Sequence, residues 1–169
     1  MTLSAMDEIK DTLRFLRETP IQILALTQGL SDREIRSRTP EGYFSVIENV
    51  CHLRDIEIEG YAARIARILN ENEPHLPDID GGRLAVERDY NNQDLDPALR
   101  AFVDAREQNL EIVKRVSEEQ FERAGVLEGV GTVSLNKLLM MMREHDEGHI
   151  DELRSARSRL LTAESDLQV

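Results

Sequence analysis

Of the four histidines in the chain, His145 and His149 stand four residues apart in the stretch "MMREHDEGHIDEL". On an α-helix, residues i and i+4 lie about 40° apart around the axis and about 6 Å apart along it. Both imidazoles therefore point the same way and can reach one cation. The surroundings are acidic, with Glu144, Asp146, Glu147, Asp151 and Glu152 all nearby, so a charged helix surface is the competing reading. The apolar stripe upstream bears on the choice. Leu135, Leu138, Leu139 and Met142 are spaced by three and four, and continuing those steps lands on His145 and His149 rather than on the acids. Spacing alone leaves both readings open, because two ligands do not make a site. The pentad His145-Asp146-Glu147-Gly148-His149 is neither the zinc-protease H-E-x-x-H nor its inverted form H-x-x-E-H.

A third ligand has to come from elsewhere. His52 lies on a helix whose start is well marked, with Ser45 and Glu48 in capping-box spacing. One histidine on that helix facing two on another makes a natural three-nitrogen site inside a bundle. His75, between two prolines, reads as an exposed loop residue. Glu48 and Asp55 flank His52 along the helix and are candidates to support it or act as a nearby base. For Glu48 the capping role is the stronger reading. Cys51 is next to His52, but consecutive helical residues diverge by about 100°, so its thiol is expected to point away from the site and fill core space.

The elements that must position these residues are helical. At 169 residues the chain is the size of one domain. Aromatics are only 4% of it and tryptophan is absent, so the core has to be built from aliphatic residues, which pack well between helices. The spacing predicts a first helix that breaks at Thr19-Pro20, with Pro20 opening a second piece. "GLSDREIRSRTPEGYF" reads as a loop with one turn of helix. A helix from Ser45 to about Leu69 follows, with Gly60 as a mild weakness. A long crossover through "ENEPHLPDIDGG" holds a short helix near 83–89. A helix from about Pro97 to Arg115 comes next, and then a Gly-rich connection "GVLEGVGTV". The last helix is capped by Ser134, and residues from about 163 to 169 are expected to fray. No strand-like alternation is evident. The expectation is an all-α four-helix bundle with a long crossover between helices two and three, in one domain spanning residues 1–169.

Several function classes are disfavoured. A formal net charge of −12 opposes binding to nucleic-acid phosphates or an anionic membrane. A lone cysteine, no signal-peptide pattern and no apolar run of membrane-spanning length favour a cytoplasmic protein.

"FSVIENVCHLRDIE" (44–57) and "VSLNKLLMMMREHDEGHIDELR" (133–154) resemble the two signature regions of the DinB-like (DinB/YfiT-like) family of four-helix metalloproteins. "GLSDREIRSRTPEGYF" and "ARILNENEPHLPDID" also resemble its connecting segments, so the likeness spans most of the chain. The resemblance implies a divalent metal (zinc, nickel or iron) held by His52, His145 and His149. It further implies a homodimer and a small-molecule substrate. The function it implies is activation of a low-molecular-weight thiol or water for transfer to an electrophile. Metal-dependent hydrolysis and non-enzymatic metal binding in a stress response are the alternatives. Two positions depart from the family pattern. Phe44 replaces the usual tryptophan before the serine, and Glu152 stands where glutamine is usual. Glu152 is therefore a candidate to orient His149 or to join the metal's surroundings.

Overall fold

The computed structural model describes residues 3–38 and 43–166. Helix α1 spans Leu3–Thr27 and the single turn α2 spans Asp32–Ile35. Helix α3 (Val46–Asp55) runs through a π-helical turn, Ile56–Tyr61, into α4 (Ala62–Asn70). The crossover contains the short strand β1 (His75–Leu76), helix α5 (Gly81–Glu87) and a 3-10 turn at Tyr90–Asn92. Helix α6 (Leu95–Val113) leads to the hairpin strands β2 (Ala124–Leu127) and β3 (Gly131–Ser134), and α7 (Leu135–Asp166) closes the chain. The last part of the tail expected to fray, residues 167–169, lies outside the described residues, as do residues 39–42 of the expected loop.

The four long rods form the expected bundle. α1 packs against α6 and α7, and α3 packs against the same two from the other side. The histidine-bearing helices, α3 and α7, are thereby neighbours. Ser45 caps α3 in a complete capping box with Glu48, and Ser134 Oγ accepts from Lys137 N–H at 3.2 Å to start α7. Leu135, Leu138, Leu139 and Met142 are each at most 1% exposed, so the stripe that leads to the histidines is core.

Two expectations need correcting. The break at Thr19-Pro20 does not occur, because α1 runs continuously through Pro20. Proline lacks the N–H that should bond the carbonyl four residues back, and that carbonyl belongs to Leu16. Arg106 Nη1, from α6, donates to it at 3.0 Å. A distant side chain thus supplies the donor that proline lacks.

Strands are also present. β2 pairs antiparallel with β3 and parallel with β1. The Gly-rich connection is therefore a hairpin. Gly129 at its tip has φ +75°, a conformation that glycine adopts without steric cost. Pro74 and Leu76 carbonyls accept from Val126 and Glu128 N–H at 2.8 and 2.9 Å, which pins the start of the crossover to the hairpin. The sequence shows no alternation here because the strands are only two to four residues long.

Candidate metal centre

His145 and His149 project from α7 toward His52 on α3. One ligand nitrogen from each lies within 4.8 Å of the others. The Nε2 atoms of His52 and His145 are 3.0 Å apart, and the ring centroids are separated by 5.2, 4.7 and 4.5 Å around the triangle. Burial, with the other two histidines adding to it, pushes His52 down to about 3. Burial also lowers His145. These two rings are therefore neutral near pH 7, the protonation state that binds a metal ion.

The donor set fits a divalent ion. The Nδ1 atoms of all three rings are buried and lack a hydrogen-bond partner among the described residues. Buried polar atoms are ordinarily satisfied, so a cluster of three rings this short of hydrogen-bond partners stands out, and the Nε2 atoms of His52 and His145 meet each other. A tetrahedral ion with metal–nitrogen bonds of about 2.0–2.1 Å requires nitrogens roughly 3.3 Å apart. The 3.0 Å separation of the His52 and His145 nitrogens is close to that.

The surroundings close the cluster on several sides. Phe44 packs its ring on His52, with centroids 5.3 Å apart. Tyr61, from the π-helical turn, meets His145 edge-on at 6.0 Å. Gly81, the first residue of α5, lies over His52 so closely that a Cβ there would sit 2.3 Å from Cε1 and 2.5 Å from Nδ1. Only glycine permits this approach. Glu152 Oε2 stands 3.2 Å from His149 Nδ1, near enough for attraction though not aligned as a hydrogen bond. His149 and Asn49, whose Nδ2 donates to Glu152 at 2.8 Å, hold that carboxyl below its usual range.

The other sequence candidates sit elsewhere. Glu48 accepts from the Ser45 N–H at 2.9 Å and from Arg38, so its carboxylate is occupied at the helix cap. Asp55 accepts from Arg54, Arg88 and Tyr90, each at 2.6 Å, and ties the crossover to α3. His75 is exposed on β1. Cys51 is buried against Gln93, and burial pushes its thiol up to about 11.

Sequence reasoning missed Asn49, Gly81 and, above all, Asp146. The stripe on α7 was expected to avoid the acids, yet Asp146 is 1% exposed. Its carboxylate takes Arg106 Nη1 at 2.6 Å and Nη2 at 3.2 Å, and Arg106 Nη2 also reaches Glu57 at 2.9 Å. A step of four from Met142 reaches Asp146 as readily as a step of three reaches His145. The one available signal was that an acid on a core face requires a buried cation.

Residues 16–153 match the DinB superfamily model. The chain belongs to the DinB superfamily. A protein of Oceanobacillus iheyensis bearing the name "Putative metal-dependent hydrolase" is 21% identical over 153 residues, covering 90% of this chain and 87% of that one. A protein of Geobacillus thermodenitrificans with the same name is 22% identical over 154 residues, covering 90% and 86%. Among solved structures, YfiT from Bacillus subtilis superposes with a TM-score of 0.85 at 17% identity, covering 95% of this chain and 90% of that one. Its description reads "a probable metal-dependent hydrolase with an unusual four-helix bundle topology". At that identity the likeness establishes the DinB-type bundle. No described helix is long and apolar enough to cross a membrane.

Proposed function

We propose that His52, His145 and His149 hold one divalent ion and that the protein is a metal-dependent enzyme acting on a small molecule. The observation that carries this is the convergence of three imidazoles from α3 and α7, with one ligand nitrogen of each within 4.8 Å of the others and the Nε2 atoms of His52 and His145 3.0 Å apart. Zinc, nickel and iron all suit such ligands. An ion held by these three residues would supply Lewis acidity, which can lower the pKa of a bound water or thiol. Hydrolysis by water is the reading that the names of the relatives favour, and a small thiol is the other candidate nucleophile.

The chain's own residues divide the remaining work. Phe44 and the Gly81 backbone cover His52 and exclude water from one side. Glu152, steadied by Asn49, stands beside His149 and can orient its ring or receive a proton at its free carboxylate oxygen. A cavity of about 340 Å³ adjoins this edge, lined by Tyr43, Phe44, Gly148, Glu152, Ser155 and Arg159 among others. Ile21 and Leu24, exposed one turn apart on α1, offer an apolar contact for the homodimer that the resemblance implies.

The nucleophile is tested in cobalt-substituted protein. Adding a panel of low-molecular-weight thiols should produce sulfur-to-cobalt charge-transfer bands that vanish in His149→Ala. No spectral change with any thiol would remove thiol transfer and leave water as the nucleophile.

A further inference from the structure

Beside the histidine cluster, and almost fully enclosed, lies a set of charges that the proposed chemistry does not use. Arg106 and its two carboxylate partners, Glu57 and Asp146, are each 1% exposed at the side chain. Asn109 Nδ2 donates to Glu57 Oε1 at 2.8 Å. Two carboxylates around one guanidinium leave a surplus negative charge in the core. That surplus is costly unless something nearby uses it.

The surplus faces the candidate centre. Asp146 follows His145 in sequence, and its Oδ1 stands 3.9 Å from His145 Nδ1. At that distance the contact is electrostatic, being too long for a hydrogen bond. Its sign still matters. His145 Nδ1 is buried and has no hydrogen-bond partner among the described residues. A bare lone pair at that atom would lie 3.9 Å from an anion, whereas an N–H would bring a positive hydrogen toward it. The neutral imidazole has one proton to place. Putting it on Nδ1 leaves the Nε2 lone pair facing the other two histidines.

We propose that Asp146, clamped by Arg106, is a positioning residue that holds His145 in its Nδ1–H tautomer and keeps Nε2 bare for a metal ion. This rests on the three-histidine reading of the centre. The 3.0 Å contact between the two Nε2 atoms then requires a proton from His52 in the metal-free protein. The network's surplus charge also offsets part of a dication's charge when all three ligands are neutral. Glu57 is the built-in control. It carries the same charge and grips the same arginine, but it is not the carboxylate that faces the His145 ring.

The test compares Asp146→Asn with Glu57→Gln. Each leaves Arg106 with one carboxylate, so neither strands an unpaired charge. Titration of the metal-free proteins with zinc should show Asp146→Asn weakened about tenfold or more, the range typical for residues that orient a metal-binding histidine. Glu57→Gln should be clearly less affected. Long-range ¹H–¹⁵N spectra of the metal-free wild type should show His145 protonated at Nδ1 and His52 at Nε2, with His145 becoming a mixture in Asp146→Asn. Equal weakening in the two variants, or an Nε2–H tautomer for His145 in the wild type, would overturn the assignment. Should Asp146→Asn fail to fold, the wild-type tautomer decides alone. A wild type that takes up no zinc would instead fault the three-histidine reading, a separate result from the tautomer.

Discussion

His145 and Asp146 are adjacent on α7, yet they belong to two buried polar regions built on opposite principles. Around Asp146, Glu57 and Asn109, the carboxylates and the amide are bonded, and both terminal nitrogens of Arg106 are engaged, while its Nε has no partner among the described residues. Around His145, the Nδ1 atoms of three rings lack partners among the described residues, and one ligand nitrogen from each ring lies within 4.8 Å of the others. The first region is closed on itself and joins α1, the π-helical turn, α6 and α7. The second is incomplete as it stands. Satisfied polar groups in a core specify the fold, whereas a cluster of unsatisfied ones marks where the fold expects something from outside.

The comparison breaks most visibly at Arg106. Arg106→Ala strands two buried carboxylates and frees the Leu16 carbonyl beneath Pro20. It should cost about 3–5 kcal/mol, a fall of roughly 6–20 °C in melting temperature for a domain of this size. Metal-free His149→Ala, measured by the same calorimetry, should lose far less, because no hydrogen bond of the fold depends on that ring. Similar losses in the two variants would erase the distinction between the regions.

Acid should act on the histidine region first. The folded pKa of His52 is depressed to about 3, against an ordinary value of 6.5. Between those values the unfolded chain binds a proton that the folded chain refuses, so stability rises with pH across that window. The stability contributed by the neutral ring is present above about pH 6.5 and is lost as pH falls toward 3. The urea midpoint of the metal-free protein should therefore drop from pH 7 to pH 5, and His52→Ala should flatten that slope. An unchanged slope would mean the ring is not buried neutral.

Two glycines sharpen the contrast with smaller effects. Gly81→Ala places a Cβ against His52 and forces the ring to move, so zinc affinity should fall about tenfold, roughly 1.4 kcal/mol. A Cβ at Gly148, between the paired histidines, meets nothing within 4 Å. Gly148→Ala should leave zinc affinity intact and raise stability by up to about 1 kcal/mol through helix propensity. Zinc titration and thermal melts read both. Equal losses of affinity would show that the α5 start does not set the position of His52.

The sequence carried the bundle, the caps at Ser45 and Ser134 and the pairing of His145 with His149 through local spacing, and it brought in His52 through the family resemblance. It did not carry the partnership of Arg106 with Leu16, Glu57 and Asp146. Those contacts bridge 90, 49 and 40 residues, and no local pattern encodes them. For the same reason Pro20 looked like a helix boundary. Gly81 sits in a segment that reads as a loop, and its approach to His52 depends on how the crossover folds back. Glu48 illustrates the reverse case. Its position on the His52 helix allowed a chemical role, and its contacts with Ser45 and Arg38 occupy it at the cap.

The central claim is that the unsatisfied region receives one divalent ion. Metal content should be measured on untagged protein purified without added metal, and again after reloading with zinc, for the wild type and for His52→Ala, His145→Ala, His149→Ala and His75→Ala. One ion per chain is expected in the wild type and in His75→Ala, with stoichiometric binding lost in each of the other three. Full occupancy in His145→Ala, or none in the wild type after reloading, would contradict it.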